Sequence, residues 1–214
     1  MIKIKNLTKV YRKGEQNFVA LNDITLNIEK GSFMSVTGHS GSGKSTLLNA
    51  IGGLVHPDSG SVYFNGKDIY SAGTKELNQY RKEKVGFVFQ QFHLVPYLSV
   101  AENILMSCRE KSHAGKLNRL LEECALSAQK DKYPSELSVG EKQRAAFIRA
   151  IISGPELLLA DEPTGNLDPE NSTILLNMIK EFNSNGGTVI LVSHDPAVSS
   201  FAAKTVRLEK GKII

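Results

Sequence analysis

Gly38 to Thr46 reads Gly-His-Ser-Gly-Ser-Gly-Lys-Ser-Thr, and no other stretch restricts the fold of this chain as tightly. It fits the pattern G-x-x-x-x-G-K-[ST], with Gly38, Gly43, Lys44 and Ser45 at the fixed positions. Glycines at 38, 41 and 43 let the backbone curl with its N–H groups inward, where side chains would collide with a ligand. His39, Ser40 and Ser42 fill the variable positions. A strand-like run, Ser32 to Val36, precedes the loop, and Leu47, Leu48 and Ile51 follow at helical spacing. A helix starting here would turn its unpaired N–H groups and positive dipole end toward the same anion. A glycine-rich turn opening an ordinary helix is the plain alternative, and the strand–loop–helix context decides against it. The expectation is a nucleotide triphosphate, with Lys44 at its β- and γ-phosphates, Thr46 beside them and the Ser45 hydroxyl on Mg²⁺.

The flanking sequence supplies a sheet around that loop. Ile2/Ile4 and Ile24/Leu26/Ile28 alternate with polar residues, which predicts antiparallel strands with one wet face and a hairpin or loop near Gly14. Val62 and Phe64 run into Asn65-Gly66, a strong hairpin turn. Lys204 to Ile214 predicts two small strands around Lys210-Gly211, and Glu76 to Lys84 a short exposed helix. Three nearly all-apolar runs, Val85 to Phe89, Leu157 to Ala160 and Val189 to Val192, predict strands buried on both faces. Between them the texture turns helical: residues 100–129 repeat apolar residues at spacings of three and four, and residues 145–152 continue the style. Asp168-Pro169 and Asp195-Pro196 each read as an N-cap acid with proline at N1.

Candidate chemistry gathers at strand ends. Asp161-Glu162 closes an apolar strand, so both carboxylates reach the sheet edge where α/β folds bind ligands. Asp161 suits Mg²⁺, and Glu162 suits a general base toward an attacking water. His194 follows the next apolar strand and falls beside the γ-phosphate; Gln90 follows Phe89 and has the same address for metal or water. Ser138-Val139-Gly140-Glu141 fits S-x-x-E, a capping box by local physics and also an anion site at a helix start.

Whole-chain properties narrow the class. The 214 residues suit one domain with a sizeable core, and 41% hydrophobic with 22% charged is globular composition. A net charge of +4 with scattered basic residues gives nucleic-acid binding little support. Cys108 and Cys124 lack metal-site spacing and read as reduced thiols. No apolar run nears the ~20 residues of a membrane helix, and the N-terminus lacks a signal-peptide core. Service at a membrane would therefore run through a partner.

Taken together, these motifs resemble the ATP-binding subunits of ABC transporters over essentially the whole chain. Gly38 to Thr46 looks like Walker A, Leu157 to Glu162 like Walker B with its catalytic glutamate, and Gln90 like the Q-loop glutamine. Leu137 to Glu141 looks like the signature motif, Gly165 to Asp168 like the D-loop, and His194 like the switch histidine. Tyr11 matches the aromatic that stacks on adenine. The resemblance implies an α/β P-loop NTPase core with a mostly parallel sheet, an antiparallel β subdomain and an inserted helical subdomain. Residues 1–91 and 154–214 would form the core, and residues 92–153 the helical part. It further implies two copies sandwiching two ATP molecules, so that Ser138, Gly140, Glu141 and Asp168 serve the opposite copy's Lys44. A groove beside Gln90 would pass the motion to membrane permeases, placing the chain on the cytoplasmic face of the inner membrane. The stretches Val85 to Pro96, Tyr133 to Ser138 and Ala160 to Asp168 look like one bacterial branch. That branch serves lipoprotein release, macrolide export, antimicrobial-peptide resistance and a cell-division complex.

The signature departs from the common Leu-Ser-Gly-Gly-Gln, reading Leu-Ser-Val-Gly-Glu. Gly140 is kept; Val139 need only point away, and the capping box is expected to hold Glu141 over its own helix start. Two other functions would use the same residues: a signalling or gating module of a cell-envelope complex, and a soluble ATPase of iron–sulfur assembly. No heptad run lies between Lys44 and Ser138, against DNA-repair heads, and no N-K-x-D guanine motif is present.

Overall fold

The computed structural model describes residues 1–14, 16–71, 73–108 and 115–214. Two sheets form its frame. The first is antiparallel, in the order β2 (Gln16–Ile28), β1 (Ile2–Lys13), β4 (Ser59–Phe64), β5 (Lys67–Asp68). Ile2 pairs with Ile28 and with Phe64, and Ile4 with Leu26 and Val62, so the alternation seen in sequence becomes one apolar face. The Asn65-Gly66 turn has φ of 49° and 84°, both left-handed, which is the hairpin geometry this dipeptide favours. Lys210-Gly211 repeats it at 45° and 77°.

The second sheet runs β10 (Lys212–Ile213), β9 (Lys204–Glu209), β3 (Phe33–Thr37), β8 (Thr188–Val192), β7 (Leu157–Asp161), β6 (Val85–Phe89). All neighbours are parallel except β9 and β10. Its central strands are mostly apolar because both faces are covered. Leu157, Leu159, Ile190 and Val192 face a cluster with Leu47, Leu48 and Ile51 of α1 (Lys44–Ile51) and the apolar face of the antiparallel sheet. Leu158, Ala160, Val189 and Leu191 face the opposite cluster. That second cluster draws on α3 (Val100–Leu105), α4 (Leu117–Glu123), α5 (Val139–Ile151) and α6 (Pro169–Ser184). Each fully buried Leu or Ile contributes about 1.5–3 kcal/mol, so both faces anchor the sheet.

The charged segment before β6 is α2 (Thr74–Lys84), whose buried side chain is Tyr80, its hydroxyl donating to the Ile51 carbonyl. The helical texture of residues 100–129 resolves into α3, α4 and a 3₁₀ turn at Ser127–Gln129, and its 109–114 portion lies outside the described residues. The helix expected after Asp195-Pro196 is α7 (Pro196–Ser199), a single turn. Cys124 is buried, and burial pushes its thiol up to about 12, which suits packing and not reactivity.

Register places the functional ends. Val36 pairs with Val192, Val192 with Asp161, and Asp161 with Phe89, one row across β3, β8, β7 and β6. The residues just past that row are the Gly38 loop, Ser193-His194, Glu162 and Gln90. Four separate stretches of sequence thus arrive together at the carboxyl edge of one sheet.

Candidate functional site

The loop after β3 is shaped by what its glycines avoid. A methyl group on Gly38 would collide with the Leu208 carbonyl oxygen and stand 2.7 Å from Ser42 Oγ. One on Gly43 would strike the Ala20 carbonyl oxygen, and Gly43 also holds φ +105°. Gly43 caps α1 without any side-chain hydrogen bond, which leaves the first helical N–H groups for a ligand. Lys44, 6% exposed, folds back so that Nζ donates to the carbonyls of Gly38 (2.8 Å) and His39 (2.9 Å). The Ser42 hydroxyl is buried without a partner. A cradle too tight for side chains, a bent-back ammonium and orphan donors together fit a polyphosphate.

Next to the loop, Ser45 Oγ donates to Asp161 Oδ1 at 3.1 Å. Burial raises the Asp161 carboxyl above its usual range; the Ser45 hydrogen bond lowers it, the Glu162 charge raises it, and Lys44 lowers it. A partly buried carboxylate beside a hydroxyl is a donor set that suits a hard divalent cation. Glu162 follows in the left-handed region at φ 44°, its N–H bonded to the Val192 carbonyl at 2.9 Å. That turn aims its carboxylate at His194, with Nδ1 to Oε2 at 3.1 Å. Gln90 is held at its backbone, where its carbonyl accepts from Asn166 Nδ2 at 3.1 Å.

Two cavities meet at Ser40 and Glu162. One, of about 350 Å³, is lined by Phe18, Ser40, Gly41, Gly43, Lys44, Ser45, Thr46, Gln90, Asp161 and Glu162. The other, about 750 Å³, is lined by Thr37, Gly38, His39, Ser40, Glu162, His194, Ser199, Thr205 and Arg207. Tyr11 lines neither. It pairs with Phe18 across the β1–β2 hairpin, and the Phe18 ring is the one at the cavity, while Tyr11 lies under Lys9 Nζ at 5.7 Å. Sequence reasoning passed over Phe18, whose only signal was an exposed aromatic in a polar strand. Arg207 and Thr205 were also missed; they come from β9, whose parallel pairing with β3 brings Arg207 opposite Thr37.

The Ser138 turn stands apart. Ser138 caps α5 in a reciprocal box: Glu141 N–H donates to Ser138 Oγ at 3.3 Å, and Ser138 N–H to Glu141 Oε2 at 2.7 Å. The hydrogen bond from Ser138 N–H is the chief reason the Glu141 carboxyl is held below its usual range, and Arg144 and Lys132 add to it. The glutamate that departs from the common signature is therefore tied over its own helix start. Val139 is 45% exposed and Gly140 is buried. Ser138, Gly140, Glu141 and Asp168 line neither of the two cavities. Among the described residues no cluster of three or more His, Cys, Asp or Glu has metal-site geometry.

Comparison with known proteins agrees with this architecture. Residues 21–165 match the family model described as ABC transporter. The macrolide export ATP-binding/permease protein MacB of Chlorobaculum tepidum is 38% identical over 218 residues, covering all of this chain. This chain spans 34% of that protein's length. YknY of Bacillus subtilis, an uncharacterized ABC transporter ATP-binding protein, is 40% identical over 219 residues, with 100% and 95% of the two chains covered. The cassette MJ0796 of Methanocaldococcus jannaschii, solved as a dimer, superposes with a TM-score of 0.93 at 37% identity, covering 100% of this chain and 96% of that one. A second structure of it is described as a post-hydrolysis state bound to ADP and Pi, with a TM-score of 0.92. The sheet, its glycine loop and these relatives agree in one assignment: the chain belongs to the ABC transporter family, as one of its ATP-binding cassettes.

Proposed function

We propose that the chain hydrolyses ATP to ADP and phosphate and uses the cycle of dimer closure and opening to drive a membrane permease. One observation carries this reading: Ser45 and Asp161 are hydrogen-bonded at the mouth of the loop that holds Lys44, with Glu162 and Gln90 lining the same cavity. The glycine loop and the start of α1 bind the phosphates, and Lys44 exchanges its two carbonyl partners for β- and γ-oxygens. Ser45, Asp161 and Gln90 would hold Mg²⁺, which would supply charge neutralisation at the phosphate oxygens. Glu162 accepts a proton from the attacking water as the new P–O bond forms. The bond to the β–γ bridging oxygen breaks, and ADP leaves with the electron pair. His194, 3.1 Å from Glu162, orients that carboxylate and faces the γ-phosphate. Phe18, with Tyr11 beside it, offers the base an aromatic surface.

Ser138, Gly140, Glu141 and Asp168 act on the nucleotide of a second copy, which is supported by their lining neither of this chain's two cavities and by the dimeric MJ0796 cassette. Residues 92–153 form the helical subdomain that presents Ser138, Gly140 and Glu141, while Asp168 is presented from the core, at the start of α6. A groove of about 430 Å³ beside β6, lined by Phe87, Phe89, His93 and Arg149 among others, supports contact with a permease. None of the described helices is long and apolar enough to cross a membrane, and the MacB relative is named as ATP-binding and permease protein together. Both support a peripheral place on the cytoplasmic face of the inner membrane. Export, lipoprotein release or antimicrobial-peptide resistance is the class of work this suggests.

The test is a rate measurement. Hydrolysis per chain should rise with protein concentration, because half of each site comes from a second copy, and Lys44→Ala should abolish it. A rate per chain independent of concentration, or retained by Lys44→Ala, would overturn the proposal.

A further inference from the structure

Asn171 occupies the third position of α6 and does three things at once. Its N–H donates to Asp168 Oδ1 at 2.9 Å, the ordinary N-cap bond. Its side-chain Nδ2 donates to Asp168 Oδ2 at 2.7 Å, so one carboxylate is held by both oxygens. Its Oδ1 accepts from Arg144 NH1 of α5 at 2.8 Å. The same amide lies against Gly140: a methyl group there would collide with Asn171 Oδ1 and stand 3.1 Å from Nδ2. Gly140 and Arg144 are one helical turn apart on α5, so both touch Asn171 from a single face. The Arg144 Nε is buried without a partner, which leaves the NH1 bond as a principal anchor of that guanidinium. At the far end of the same loop, the fully buried Gln143 donates through Nε2 to the Pro163 carbonyl at 2.8 Å and the Phe89 carbonyl at 3.3 Å. Helix α5 therefore grips the segment from Pro163 to Asn171 at both ends.

We infer that Asn171 is a positioning residue that locks the Asp168 turn and the Ser138–Gly140 turn of one chain into a single unit. The inference rests on the proposed function, in which both turns reach the nucleotide of a second copy. Presented as one piece, they dock together; uncoupled, each must be ordered separately at the interface, and closure weakens. Gly140 has a second duty beyond approach to phosphate, since its missing side chain is the seat of the Asn171 amide. The two hydrogen bonds from Asn171 also hold the Asp168 carboxyl below its usual range, keeping it charged and oriented.

The test uses the full chain carrying Glu162→Gln, which is expected to dimerise on MgATP. Asn171→Asp keeps the shape and the Arg144 partner but turns a donor into a carboxylate facing Asp168. It should raise the protein concentration needed for half-dimerisation about tenfold while ATP affinity of the monomer changes less than twofold. Asn171→Ala, which drops the side-chain link but keeps the backbone bond to Asp168, should weaken dimerisation by a similar factor. Adding Arg144→Ala to it should weaken dimerisation less than a further twofold, because that guanidinium has already lost its amide partner. A residue that served only helix stability would lower the melting temperature and leave the two losses additive. Dimerisation of Asn171→Asp within twofold of its parent, or fully additive losses in the Asn171→Ala, Arg144→Ala pair, overturns the inference alone. A Glu162→Gln parent that never dimerises overturns the inference together with the function on which it rests.

Discussion

The Ser45 hydroxyl and the Asp161 carboxylate meet at 3.1 Å across 116 positions of sequence, and the carboxylate is held there against its preference for water. Without a cation, a partly buried charge of this kind costs stability. Asp161→Asn should therefore raise the melting temperature of the ligand-free chain, by about 2 °C because water still screens part of the group. The same variant should lose the further stabilisation that MgATP gives the wild type. Thermal unfolding with and without MgATP checks both, and a fall of several degrees in the ligand-free chain would contradict the account.

Phe18, not Tyr11, lines the cavity above the loop, although the two are cross-strand partners. Stacking of a base on an aromatic ring is worth about 1–3 kcal/mol. Phe18→Ala should weaken ATP binding about tenfold, and Tyr11→Ala by less. Equilibrium titration of each variant with a fluorescent ATP analogue separates them; equal losses would show that the hairpin face binds as a whole.

The Glu141 capping box predicts a pH dependence with a definite sign. Its carboxyl lies lower in the folded chain than its ordinary value near ~4.3, so the stabilisation is complete above that value. It fades as pH falls below it toward the folded pKa. Glu141→Ala should cost about 1 kcal/mol in urea unfolding at pH 7. The gap from wild type should begin to narrow below about pH 4.5. A gap that widened in acid would rule out the reciprocal box.

His194 pairs with Glu162 and lines one cavity with Gly38, His39 and Ser40. His194→Ala should therefore lower kcat about 100-fold, in the range of lost proton-transfer assistance, with KM for ATP within about threefold of wild type. Steady-state kinetics decide, and a rise in KM at constant kcat would assign His194 to binding instead.

Much of this was legible in the sequence because the decisive signals are local. Asn65-Gly66 and Lys210-Gly211 name their own hairpin turns, and the runs at 157–160 and 189–192 are apolar throughout because two clusters cover them. Gln90, Asp161, Glu162 and His194 are readable for a related reason: parallel register makes the end of one strand neighbour to the end of the next. Phe18 escaped because the β1–β2 register shifts three times between Ile4 and Val10, and no alternation pattern counts bulges. Asn171 escaped because its role depends on where α5 crosses the start of α6, which is set by packing against the sheet. Ser138 shows both cases, since its capping box is local chemistry whereas the service to a second molecule proposed for it is invisible within one chain.

The account depends most on that second molecule. The direct measurement is the solution mass of the Glu162→Gln chain by light scattering, with and without excess MgATP. The predicted result is twice the chain mass with MgATP and the single-chain mass without it. A protein that binds ATP yet stays at the single-chain mass, even with its membrane partner supplied, would contradict the claim.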